Sequence, residues 1–127
     1  MDENEISREI LDAALKIHQK LGPGLLESVY EGVLAFELER KGLRVARQVP
    51  VSIEYETLLF ERAFLIDLLV DEKVVVELKA AEELAPVHKR QLLTYVRLRK
   101  LKLGMLINFG AATLKEGVMR VVNGLPD

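Results

Sequence analysis

Asp67 sits inside the apolar run Phe64-Leu65-Ile66-Asp67-Leu68-Leu69-Val70, and Glu77 and Lys79 lie two residues apart in VVVELKA, Val74 to Ala80. Residues two apart on a strand share a face, so Glu77 and Lys79 point the same way. A carboxylate within an apolar strand is costly unless solvent, a cation or hydrogen-bond donors reach it. If Asp71-Glu72-Lys73 makes a three-residue turn, Asp67 falls directly opposite Glu77, and both share a face with Lys79. A two-residue turn reverses that relation unless a bulge corrects it. Two carboxylates so close raise one another's pKa unless a cation lies between them. Magnesium suits such a pair, because it accepts one or two protein carboxylates, keeps waters and binds phosphate oxygens. Lys79 could then orient or help deprotonate the attacking water and stabilise charge developing on phosphorus. The competing reading is a structural salt bridge of Lys79 with Glu77 or Asp67 near a sheet end.

Further polar groups stand at suggestive spacings. Gln91 and Tyr95 are four apart, on one face of an expected helix, and both can donate to a phosphate or a base. They could equally make a helix-to-sheet contact, with Tyr95 as an aromatic with a polar tip. Between His88 and Lys102 lie Lys89, Arg90, Arg97, Arg99, Lys100 and Lys102 with no acid among them, either a phosphate-binding surface or a solvated helix face. Glu27, in GLLESVY, falls near the start of another helix, where the helix dipole alone would favour an acid. It gains chemical interest if that helix end faces Asp67 and Glu77. With two histidines and no cysteine, a zinc site, a thiol nucleophile and a disulfide scaffold all drop out.

These groups need elements to hold them. Ile6, Ile10, Ala13 or Ala14, Ile17 and Leu21 recur at helical spacing, with Ser7 as a candidate cap. Leu21-Gly22-Pro23-Gly24 interrupts, Pro23 suiting an early helical position, and Leu26 to Leu38 is helical again before Lys41-Gly42. The period then changes to two. Strands are expected at Val49 to Tyr55, from about Phe60 to Val70, and from about Val74 to Ala80. On the second, Phe64, Ile66, Leu68 and Val70 should share one face. A third helix runs from Leu84 or Pro86 to about Leu101, then a strand from Leu103 to Phe109 and a short one from Val118 to Val122. The order α-α-β-β-β-α-β-(β) predicts an α/β (α+β) fold, a mixed sheet with helices packed against it.

The 127 residues, half hydrophobic and 30% charged, predict one globular domain over 1–127. The net charge of -2 hides an acidic start (Asp2, Glu3, Glu5, Glu9, Asp12) and the basic stretch already named. Neither a leader pattern nor a membrane-spanning apolar run is present, so a cytoplasmic location without a membrane partner is expected.

Taken in order, a helical acid, an Asp on one strand, Glu-x-Lys on the next and Gln-x-x-x-Tyr on the following helix resemble the PD-(D/E)XK nuclease superfamily. Specifically, they resemble its small GxxExxY proteins, through Gly24-Leu-Leu-Glu27-Ser-Val-Tyr30. Asp67 matches the metal-binding aspartate, Glu77-Leu-Lys79 the (D/E)XK element, and Gln91 with Tyr95 the QxxxY element of the RecB-like branch. The resemblance spans Ile6 to Phe109 and departs in Ile66, which stands where the superfamily's name has Pro. It implies a restriction-endonuclease-like αβββαβ core behind an additional N-terminal helix, and a Mg2+- or Mn2+-dependent hydrolase of phosphodiester bonds in DNA, with RNA left open. Asp67, Glu77 and the Leu78 backbone carbonyl would hold metal, Glu27 would extend the set, Lys79 would position water, and Gln91 and Tyr95 would touch substrate. The alternatives are a non-catalytic nucleic-acid-binding or regulatory module on the same scaffold, and a protein-interaction domain with a merely solvated basic helix. A homodimer is also expected, since pairing would extend a small duplex-gripping surface.

Overall fold

The structure, a computed structural model, describes residues 1–125; Pro126 and Asp127 lie outside the described residues. Helix α1, Glu3–Leu21, buries Ile6, Ile10, Ala13, Ala14 and Ile17 along one stripe. Its cap is Asp2 rather than Ser7. Asp2 Oδ1 accepts from the Glu5 amide at 2.8 Å and Glu5 Oε1 accepts from the Asp2 amide at 3.1 Å, a reciprocal pair that satisfies two otherwise free donors. Gly22, at φ 68°, ends the helix in a region where only glycine is at ease. Pro23 lies in the loop that follows, not in a helix. Helix α2, Glu27–Arg40, turns Tyr30, Glu31, Leu34, Ala35 and Leu38 inward.

Among the described residues five strands form one sheet in the order β1-β2-β3-β4-β5. They are β1 (Val45–Tyr55), β2 (Leu58–Val70), β3 (Val74–Lys79), β4 (Leu103–Asn108) and β5 (Val118–Val122). Strands β3 and β4 run parallel, and α3, Pro86–Leu98, makes the crossover that a parallel pair requires. Helices α1 and α2 cover one face, packing on Leu68, Val70, Val76, Leu78, Met105 and Ile107. Helix α3 covers the other, its Leu92 and Val96 against Ile66, Leu69, Val75 and Leu106. Each such aliphatic side chain removed from water contributes roughly 1.5–3 kcal/mol. Gly104 permits the close approach of α3, since a Cβ there would meet Val96 Cγ2 at 2.7 Å and Leu92 Cδ1 at 2.8 Å.

Two further sequence expectations are corrected. The first strand starts at Val45, four residues early. The expected single face for Phe64, Ile66, Leu68 and Val70 also fails: Ile66 packs with α3, whereas Leu68 and Val70 pack with α1 and α2. The same reversal occurs on β1, where Val45 joins the α1–α2 side and Val49 the α3 side. Both inversions flank one position, Gln48 opposite Asp67, and Gln48 has φ 51°. The order α-β-β-β-α-β after an N-terminal helix is the expected restriction-endonuclease-like core. Among the described residues no helix is long and apolar enough to cross a membrane.

Candidate active site

The β2–β3 ladder pairs Val70 with Val74, Leu69 with Val75 and Leu68 with Val76. The turn therefore has three residues, Asp71 to Lys73, with Asp71 and Glu72 both left-handed as a tight hairpin requires. One step further, Asp67 faces Glu77. There the backbone ladder stops and side chains take over. The Asp67 amide donates to Glu77 Oε1 at 3.1 Å, and the Leu78 amide donates to Asp67 Oδ2 at 2.8 Å. In an antiparallel strand the N–H and C=O of one residue point to the same neighbour. The Leu78 carbonyl thus faces the β2 side, toward Asp67.

This gap is electrostatically tense. Burial raises the Glu77 carboxyl to about 8, and the neighbouring Asp67 charge pushes in the same direction. The Asp67 amide and the Lys79 ammonium oppose the rise. Asp67 is also raised, chiefly by burial and partly by Glu31, against the Leu78 amide, Gln48 and Lys79. Glu27 is raised by burial and by the charges of Asp67 and Glu31, and lowered by Lys79. Lys79 therefore sits within electrostatic reach of three carboxylates. Among the described residues its ammonium forms no ion pair within 4.0 Å with any of them.

The GLLESVY segment positions Glu27 by a local device. Tyr30, one turn into α2, is fully buried and stacks on Phe109 with ring centroids 4.6 Å apart. Its hydroxyl donates to the Gly22 carbonyl at 2.5 Å and accepts from the Leu25 amide at 3.2 Å. The loop is thereby tied down just before the helix whose first residue is Glu27. Helix α3 supplies Tyr95, which stacks on Phe64 at 3.9 Å. Burial, then the charges of Glu77 and Asp67, raise the Tyr95 phenol, so it stays protonated at neutral pH. Gln91 is exposed one turn earlier, with no side-chain hydrogen bond among the described residues. Lys89, Arg90, Arg97, Arg99, Lys100 and Lys102 are all exposed, and none joins an ion pair among the described residues. His18 and His88 serve structure: the first bonds the Ala111 carbonyl through Nε2 at 2.9 Å, and His88 Nδ1 accepts the Ala85 amide at 3.1 Å.

Three polar residues around the gap escape a reading of the sequence. Glu31 is buried, and its Oε2 accepts from Arg47 Nε at 3.1 Å and Nη2 at 3.0 Å. Gln48 Nε2 donates to Glu31 Oε1 at 2.5 Å and to Asp67 Oδ1 at 3.3 Å. The one signal in the sequence is spacing: Glu31 follows Glu27 by four, which places both on one side of α2.

The structure thus brings Asp67 and Glu77 together, with Lys79, Glu27 and Tyr95 within electrostatic reach. The full three-carboxylate enclosure is not formed: among the described residues no group of three or more His, Cys, Asp or Glu is gathered closely enough to hold a metal ion. The chain matches no curated protein and no solved structure. A family model described as the PD-(D/E)XK nuclease superfamily matches residues 4–121, covering both helices before the sheet, the Asp67–Glu77 gap and α3. On that match and on the core that carries it, the chain belongs to the PD-(D/E)XK nuclease superfamily.

Proposed function

We propose that this protein is a divalent-metal-dependent nuclease that hydrolyses phosphodiester bonds in DNA. One observation carries the reading: the Asp67 and Glu77 carboxyls lie side by side in the β2–β3 gap, and neither forms an ion pair among the described residues. The chemistry of the donors fits Mg2+ or Mn2+. Asp67, Glu77 and the Leu78 carbonyl offer only oxygen, as these hard cations prefer, and Glu27 lies within electrostatic reach of Asp67 without joining a gathered group of three among the described residues. Such an ion, when bound, supplies positive charge to phosphoryl oxygens and makes water a better nucleophile at neutral pH. Lys79, on the same face of β3 as Glu77, orients the attacking water and offsets charge growing on phosphorus. Tyr95, held as a phenol, and Gln91, on the same side of α3, donate to phosphate or base. The exposed Lys89, Arg90, Arg97, Arg99, Lys100 and Lys102 attract the backbone of the nucleic acid.

Plasmid, linear duplex and single-stranded DNA, with RNA in parallel, incubated with Mg2+ or Mn2+ test this reading. Cleavage of at least one substrate is expected, falling at least ~100-fold in Asp67→Ala. Equal background from both proteins on every substrate would overturn it. The absence of a gathered three-carboxylate group among the described residues favours a second reading, a non-catalytic nucleic-acid-binding module. Binding without cleavage, indifferent to divalent ions, would select that one. Self-association is checked by sedimentation with and without DNA, where a monomer in both removes the homodimer.

A further inference from the structure

Gln48 links the Asp67 carboxylate to helix α2. It stands between the pairs Arg47–Leu68 and Val49–Ile66, directly across from Asp67, but in a left-handed conformation at φ 51°. That conformation brings Cβ too close to the following carbonyl oxygen and is unfavourable for a non-glycine residue. Glutamine also lacks the short side chain that lets Asn or Asp compensate locally. Non-glycine residues held this way persist where their surroundings over-determine them. Here the surroundings are two carboxylates. Ionised carboxylates only accept, so the nitrogen end of the amide faces them, and its two hydrogens serve Glu31 Oε1 at 2.5 Å and Asp67 Oδ1 at 3.3 Å. Glu31 is immobilised in turn by the fork of Arg47. On the far side, the Leu78 amide holds Asp67 Oδ2. The Asp67 carboxylate is therefore gripped at both oxygens, from α2 through Gln48 and from β3 through Leu78.

We infer that Gln48 is a positioning residue: anchored on the buried Glu31 carboxylate, which Arg47 holds from the exposed side, its amide sets the rotation of the Asp67 carboxylate so that the remaining lone pairs face the gap beside Glu77. The left-handed backbone is what turns the amide there, since regular alternation would carry it elsewhere. This inference rests on the metal-site reading above and assigns a role to a residue outside the oxygen donors. Partners of metal ligands commonly affect affinity by about 10- to 100-fold.

The probe is Mn2+ itself, with free ion counted by electron paramagnetic resonance well below the melting temperature. Gln48→Gly suits the backbone and deletes the amide. Its metal-free melting temperature should equal or exceed that of the wild type, while the Mn2+ dissociation constant rises about tenfold. Gln48→Leu, which keeps the bulk without the donor, should lose the same affinity. Asp67→Asn serves as the reference for loss of the site. Unchanged Mn2+ affinity in Gln48→Gly, alongside loss in Asp67→Asn, would overturn this inference and leave the nuclease reading standing. Affinity lost only in step with a lower metal-free melting temperature would assign Gln48 a structural role and overturn it too. Wild type that binds no Mn2+, or Asp67→Asn that binds as well as wild type, would overturn both.

Discussion

Burying Glu77 beside Asp67 lifts its carboxyl from the ordinary 4.5 to about 8, which couples stability to pH. The folded protein holds this proton where the unfolded chain has lost it, so the favourable contribution is complete below the unfolded value and disappears as pH rises through the folded one. Asp67 and Glu27 shift in the same direction. The metal-free protein should therefore melt several degrees lower at about pH 8 than at about pH 5 by calorimetry. Glu77→Gln should flatten that dependence, and Mn2+ should raise the melting temperature more at the higher pH. A melting temperature that climbs over this interval would refute the assignment. The sequence allows Asp67 opposite Glu77 only on condition of a three-residue turn or a bulge, and the ladder from Val70–Val74 to Leu68–Val76 decides for the turn. Gln48 was not, because nothing in its side chain announces a left-handed backbone. Glu31 likewise read as one more acid on a helix, though its spacing from Glu27 was visible.

Among the elements, α2 owes the placement of its first turn to Tyr30. Tyr30→Phe keeps the stack on Phe109 but frees the Gly22 carbonyl and the Leu25 amide. The loss should be about 1–2 kcal/mol in urea unfolding, with Mn2+ affinity changed no more than in Glu27→Gln. Stability equal to wild type would deny the hydroxyl its anchoring role. Here too the sequence went only part of the way. Glycines, charge runs and the change from helical to alternating period marked where elements end. The reversal of faces along β1 and β2 stayed hidden, since Ile66 and Leu68 are equally apolar and composition cannot tell which helix each one meets.

For the molecule as a whole, charge is unevenly spread: acids crowd the start of α1, while Arg97, Arg99, Lys100 and Lys102 are exposed at the end of α3 and the turn beyond it. If those four meet phosphates, replacing them together with Ser should weaken DNA binding alike on every sequence. The slope of log affinity against log salt should fall by about 0.9 for each duplex phosphate that is no longer neutralised. An unchanged slope by fluorescence anisotropy would send the binding surface elsewhere. The broken ladder between β2 and β3 has a consequence of a different kind. The amides of Asp67 and Leu78 are shielded by carboxylates, whereas those of the regular strands are shielded by their neighbours in the sheet. Amide hydrogens exchange with solvent at rates set by the smallest opening that frees them. Leu78 should exchange faster in Asp67→Ala while the protected amides of β4 keep their rates. Deuterium uptake at these two positions would then read the state of the gap without any substrate being cut.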